Sequence, residues 1–134
     1  MRQFAVTLAA ALFAGAAAAA PETVRLGETI EGALTASDSP RDGGGVSRDY
    51  RVQASSSQFL IVSVRSEDFD GTVTVFNPDR SKAAENDDRA DGNLNPLAVV
   101  ETEQDGIYII RVGSLSSGDE SLGKFQMKVV TFSE

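Results

Sequence analysis

Apolar residues along this chain recur at every second position, not every third or fourth. Ile30, Gly32 and Leu34 share one face of a segment whose other face holds Thr29, Glu31 and Ala33. Tyr50, Val52 and Ala54 alternate with Asp49, Arg51 and Gln53. Leu60, Val62 and Val64 alternate with Phe59, Ile61, Ser63 and Arg65, and the first half of that run is apolar on both faces, as a central strand requires. Val73 and Val75, then Tyr108, Ile110 and Val112, then Phe125, Met127 and Val129 repeat the pattern, and a weaker run covers Leu97 to Thr102. Turn formers separate these runs: Ser39-Pro40-Arg41-Asp42-Gly43-Gly44-Gly45, Asp70-Gly71, Asn77-Pro78-Asp79, Asp91-Gly92-Asn93, Asp105-Gly106 and Ser117-Gly118-Asp119. Period two without helical spacing predicts an all-β protein: an antiparallel two-sheet β-sandwich, jelly-roll-like, of about seven to nine short strands. The Gly43–Gly45 run reads as a flexible loop inside one domain, because strands on both sides are needed for one core.

The first twenty residues follow a different rule. Met1-Arg2-Gln3 is followed by an apolar stretch from Phe4 to about Ala17 and then Ala18-Ala19-Ala20. A basic start, an apolar run and small residues before Pro21 form the pattern of an export signal. The run is shorter than the roughly 20 residues of a spanning helix, so cleavage near Ala20 is expected, not anchoring. Residues 1–20 are thus read as a signal peptide and 21–134 as one β-sandwich domain, delivered to the periplasm or secreted. No cysteine follows the leader, which removes a lipid anchor.

Composition narrows the chemistry. The 134 residues include no His, Cys or Trp. A Ser-His-Asp triad, a cysteine nucleophile and a zinc site built on imidazole or thiolate are therefore excluded. Twelve basic and 20 acidic residues give a net charge of −8, which repels nucleic acid and anionic lipid. The expectation is a monomer that is not an enzyme and binds neither nucleic acid nor membrane. Any resident metal must be held by oxygen.

The oxygen donors cluster at Asn86, Asp87, Asp88, Asp91 and Asn93, with Gly92 available for a tight turn and Asp70 or Asp49 able to complete a site if the fold brings either alongside. Calcium takes six to eight such ligands. The spacing is not that of an EF-hand loop, and the competing reading is a solvated turn in which Asp and Asn side chains cap their own backbone. In the same way, Asp49 and Asp70 are expected to accept backbone N–H groups at strand entries, so that Asp70→Ala would lower stability by on the order of 1 kcal/mol. Tyr50 is expected to bury its ring and keep its hydroxyl wet. Glu101 and Glu103 share a strand face side by side, an arrangement that a wet outer face explains and glycoside hydrolysis does not. Phe59, Phe69, Phe76, Phe125 and Phe132 are assigned to the core or to turn packing. Ser121 and Lys124 have the Ser-x-x-Lys spacing, but the turn residues between them deny the helix that this motif needs.

Seven segments in order resemble the bacterial pre-peptidase C-terminal domain family. They are Leu26-Gly27-Glu28-Thr29-Ile30-Glu31-Gly32-Ala33-Leu34, Asp49-Tyr50-Arg51-Val52, Phe59 to Val64, Phe69-Asp70-Gly71-Thr72-Val73-Thr74-Val75-Phe76-Asn77-Pro78, the acidic triplet Asn86-Asp87-Asp88 after a short strand, Gly106-Ile107-Tyr108-Ile109-Ile110-Arg111-Val112, and Gly123-Lys124-Phe125-Gln126-Met127-Lys128-Val129. The resemblance spans about Leu26 to Val130. It implies a small β-sandwich that usually trails a secreted peptidase, is itself non-catalytic, and in some members binds calcium or matrix and polysaccharide substrates. No peptidase precedes the module in this sequence, so the expected role is that of a binding or accessory module acting in trans on a protein or polysaccharide partner, such as an exported peptidase, with calcium as its candidate ion. The alternative is a calcium-stabilised structural envelope protein without a specific ligand.

Overall fold

Strand pairing converts the period-two pattern into two faces, one buried and one exposed. The computed structural model describes residues 20–133. The leader read over residues 1–20 therefore lies outside the described residues, apart from Ala20. Ten strands follow in chain order: β1 (Glu22–Thr23), β2 (Thr29–Leu34), β3 (Ser39–Pro40), β4 (Val46–Ala54), β5 (Phe59–Arg65), β6 (Gly71–Phe76), β7 (Lys82–Asn86), β8 (Leu97–Glu101), β9 (Gly106–Ser114) and β10 (Gly123–Phe132). One sheet has the order β1-β4-β9-β6-β7, with β3 also on β4, and the other has β2-β10-β5-β8. Setting aside the two-residue β1 and β3 leaves four strands in each sheet, and the chain crosses between the sheets in the order of a jelly roll. Every pairing is antiparallel except that of β1 on β4.

The alternating residues meet between the sheets. Tyr50 and Val52 of β4, Leu60, Val62 and Val64 of β5, Val73 and Val75 of β6, Tyr108, Ile110 and Val112 of β9, and Phe125, Met127 and Val129 of β10 are all buried. Removal of this apolar surface from water is the main term holding the sandwich together. β5 is central in its sheet, between β10 and β8, as its two-sided apolar pattern requires.

The eight longer strands fall within the seven to nine expected, and the two-residue β1 and β3 are too short to leave a period. The Lys-Ala-Ala-Glu-Asn of β7 has no β-branched or aromatic residue to mark it. Two expectations need correction. The loop at Gly43–Gly45 is a pinned turn. Arg41 N–H donates to the Gly45 carbonyl at 3.0 Å, and Gly44 N–H returns to the Arg41 carbonyl at 3.2 Å. The Arg41 guanidinium also donates to the Ser114 carbonyl, which lays the loop over the outer face of β9. Of the five phenylalanines assigned to the core or to turn packing, Phe69 and Phe125 are core, while Phe132 is 59% exposed.

Candidate functional site

Asp70 sits where the chain enters β6. Just before it, Phe69 is buried edge-on to Phe125, with ring centroids 6.2 Å apart. The Asp70 carbonyl accepts the Leu115 N–H at 2.9 Å, which fixes the backbone at this corner. Its side chain is held half-buried, and Oδ1 is enclosed without a hydrogen-bond partner. Burial, followed by the nearby charges of Asp88 and Asp87, pushes the carboxyl above the usual carboxylate range.

This overturns the expectation that Asp70 caps its own turn. Other residues do that work. Ser66 Oγ accepts the N–H groups of Asp68 and Phe69 at 3.0 and 3.3 Å. Asn95 Oδ1 accepts the Ser66 N–H at 2.9 Å, and Asp68 Oδ2 accepts the Lys124 N–H at 2.8 Å. Asp49 likewise makes a bidentate ion pair with Arg111, at 2.8 and 3.0 Å. That guanidinium also lies over the Phe76 ring at 4.9 Å. Tyr50 is 1% exposed, so its hydroxyl is not wet. Burial raises its pKa, and the adjacent Arg48 opposes that rise.

The fold separates the acidic loop residues into two groups. Asp87 and Asp88 are exposed and act electrostatically on Asp70. Asn86 is committed elsewhere: Oδ1 accepts the Leu97 N–H at 3.0 Å at the start of β8, and its carbonyl accepts the Thr72 hydroxyl at 3.3 Å. Asn93 Oδ1 accepts the Asn95 N–H at 3.1 Å, Ala90 and Asn93 form an isolated bridge, and Asp91 lies exposed on that turn. Among the described residues, no three acidic side chains converge closely enough to hold an ion as they stand.

One residue of this corner has no place in the sequence reading. Arg89, a lone cation in an acidic run, is the bolt of the loop. Its guanidinium donates to the Asn95 carbonyl at 2.8 Å, Ser63 Oγ at 2.9 Å, the Pro96 carbonyl at 3.1 Å and the Val64 carbonyl at 3.3 Å. The available signal was its isolation, since a buried cation needs acceptors and a turn supplies carbonyls. In the Ser121–Lys124 pair, Ser121 closes a 3-10 helix (Gly118–Ser121), and its hydroxyl donates to the Gly118 carbonyl at 2.6 Å.

The profile described as the bacterial pre-peptidase C-terminal domain matches residues 46–114, from β4 through β9 and including the Asp70 corner. The chain belongs to this family. Solved structures of similar fold include a collagenase domain and a lysozyme inhibitor. The pre-peptidase C-terminal domain of collagenase from Bacillus anthracis superposes with a TM-score of 0.61 at 21% identity, covering 82% of this chain and 94% of that one. Aeromonas hydrophila PliG, a periplasmic inhibitor of g-type lysozyme, superposes with a TM-score of 0.56 at 16% identity, covering 84% of this chain and 99% of that one. At these identities the likeness is one of fold. No curated protein sequence matches the chain.

Proposed function

We propose that this pre-peptidase C-terminal domain is an exported, non-catalytic accessory module that acts on a protein or polysaccharide partner and takes calcium at the Asp70 corner. Family membership supports the accessory role. The family's association with peptidases and the periplasmic setting of the similar inhibitor support export. Freedom from catalysis is supported by the residues themselves. Without His or Cys, acid–base chemistry would fall mainly to carboxylates; Glu101 ends β8 and Glu103 follows it just past the strand, both exposed on the same wall and not opposed across a bound sugar.

The observation that carries the calcium reading is the orphaned Oδ1 of Asp70. An enclosed carboxylate oxygen without a donor is costly, and two further carboxylates nearby add to that cost. A divalent cation would relieve both. Asp70 would be the fixed ligand, with the exposed side chains of Asp87 and Asp88 turning towards it. Bound calcium would neutralise the corner and tie the β7–β8 loop to the start of β6; its role is structural, and no reaction passes through it.

Calorimetric titration of the purified chain with calcium tests this reading. Saturable heat with a rise in melting temperature is expected, and both should vanish in Asp70→Ala. No heat and no rise at millimolar calcium would sink it. The accessory role is tested separately, by specific capture of an exported peptidase from periplasmic extract.

A further inference from the structure

The outer face of the β2-β10-β5-β8 sheet is less wet than a sandwich face should be. Strand register arranges its outward side chains in three rows across β10, β5 and β8. Phe132, Phe59 and Glu101 form the first, Val130, Ile61 and Val99 the second, and Lys128, Ser63 and Leu97 the third. The middle row is wholly apolar, with Val99 50% exposed, and Phe132 beside it is 59% exposed. A contiguous apolar patch of this kind on an outer face marks a contact surface.

The charges around the patch have an order. At the first-row end, a cleft of about 440 Å³ is lined by Ser57, Phe59, Glu101 and Glu103 among others, with no cation in its wall. At the diagonally opposite corner stands Lys128, exposed and, like the two glutamates, without an ion pair among the described residues. Ile61 lies midway between Glu101 and Lys128. Neighbouring positions on such a face are about 4.8 Å apart across strands and about 6.8 Å apart along them, so the ends of the diagonal are equidistant from its centre. A two-fold axis lying in the contact plane through Ile61, perpendicular to that diagonal, superimposes Glu101 of one copy on Lys128 of another, twice over. The same axis brings Phe59 and Phe132 of each copy against Val130 of the other.

We propose that this face is a self-association surface: two copies of the chain pair through it about that axis, each placing its Lys128 ammonium in the Glu101–Glu103 cleft of the other. The contact is isologous and closes on itself, so it gives dimers, not filaments. The lysine stem packs along the Phe59 ring while its charge meets two carboxylates, as amphipathic side chains do at interface rims. Calcium is not involved. The Asp70 corner joins this sheet at the Leu97 end of β8, and the cleft lies at the Glu101 end.

Sedimentation equilibrium of the purified chain across a concentration series tests the proposal. A reversible doubling of mass is expected at the high end. Glu101→Lys or Lys128→Glu alone should weaken dimerisation by at least about tenfold, because each leaves like charges opposed. Glu101→Lys with Lys128→Glu should restore it to within about threefold of the parent, since the pair is exchanged and not lost. Val99→Asp should abolish it. All three substituted positions, Val99, Glu101 and Lys128, are exposed, and matched melting temperatures in dilute solution verify that folding is intact. A monomer at every concentration overturns the proposal. So does a dimer indifferent to either charge reversal, as edge-to-edge pairing along β8 would give, or a double variant no better than the singles.

Discussion

Arg89 and Asn95 hold each other twice across the acidic loop: Nε of Arg89 donates to the Asn95 carbonyl at 2.8 Å, and the Arg89 main-chain N–H donates to the same oxygen at 3.2 Å. With the further bonds to Ser63, Val64 and Pro96, this residue joins the loop to the junction of β5 and β8. Arg89→Met keeps the aliphatic stem and removes the charged donors. We expect a loss of about 2–3 kcal/mol in denaturant unfolding, since hydrogen bonds from a charged group are at the strong end and the freed carbonyls are part-buried. Amide exchange should accelerate over residues 87–97 ahead of the rest of the sheet. Arg89→Lys should recover only part of the loss, because an ammonium cannot span the same fork of acceptors.

Asp70 should show an inverted stability profile. Its folded-state pKa lies above the unfolded value, so the ionised form is the penalised one. Its favourable contribution is present at low pH, below the unfolded value, and is lost as the pH rises through the folded pKa. In calcium-free buffer at pH 7, Asp70→Asn should therefore be more stable than the parent, by less than about 1 kcal/mol because the group is only half-buried and its neighbours are solvated. The gap should close as the pH falls through the carboxylate range. The sign is opposite to the loss expected for a turn-capping aspartate. Saturating calcium should reverse the order at pH 7, because the parent gains a ligand that the variant lacks. Thermal melts at two pH values, with and without calcium, read out all four states.

The sandwich was legible because burial on one face imposes period two, and every strand with a buried face of aliphatic and aromatic residues, from Leu34 to Val129, carries that mark. β7 carries none: its Ala83 and Ala84 are only partly buried at the sheet edge, and only the resemblance, which sets a short strand before Asn86-Asp87-Asp88, implied it. The acidic corner was legible as composition and not as geometry. Spacing could not show that Asn86 would lock β8 or that Asp70 would be left without a donor, because both depend on which strand neighbours which. The outer rows could not be read either. Phe59, Ile61, Val99, Val130 and Phe132 become one patch only once the registers of β10 on β5 and β5 on β8 are set.

Gly32 marks a close approach in β2. A Cβ built there would meet Cζ of Phe125 at 2.7 Å and the hydroxyl of Tyr50 at 2.8 Å, and these two rings already pack edge-on with centroids 6.2 Å apart. Both are buried, so neither can move without disturbing the core. Gly32→Ala should destabilise by about 1–3 kcal/mol, the range for overpacking a dense interior. Gly32→Ala combined with Phe125→Leu should be less destabilising than the sum of the two singles, because the smaller side chain removes the clash. Strict additivity in denaturant midpoints would show that the cost arises elsewhere.

Tyr108 ties β9 to the turn that precedes it. The residue is fully buried, and its hydroxyl donates to the carbonyl of Gln104 at 2.7 Å, four residues back across the Asp105-Gly106 turn. Gly106 packs against Pro78 with a φ of 145°, so the turn cannot easily shift to find another donor for that carbonyl. Tyr108→Phe preserves the ring and deletes only this bond. The expected loss is about 1 kcal/mol, near the middle of the range for one hydrogen bond, because Gln104 is partly exposed and water can reach the abandoned carbonyl. Tyr108→Leu removes ring volume as well and should cost about 3 kcal/mol or more through the cavity it leaves. Denaturant unfolding of the two variants separates the terms. If Tyr108→Phe cost as much as Tyr108→Leu, the hydroxyl would be fixing the turn itself, and amide exchange over residues 102–107 would rise with it.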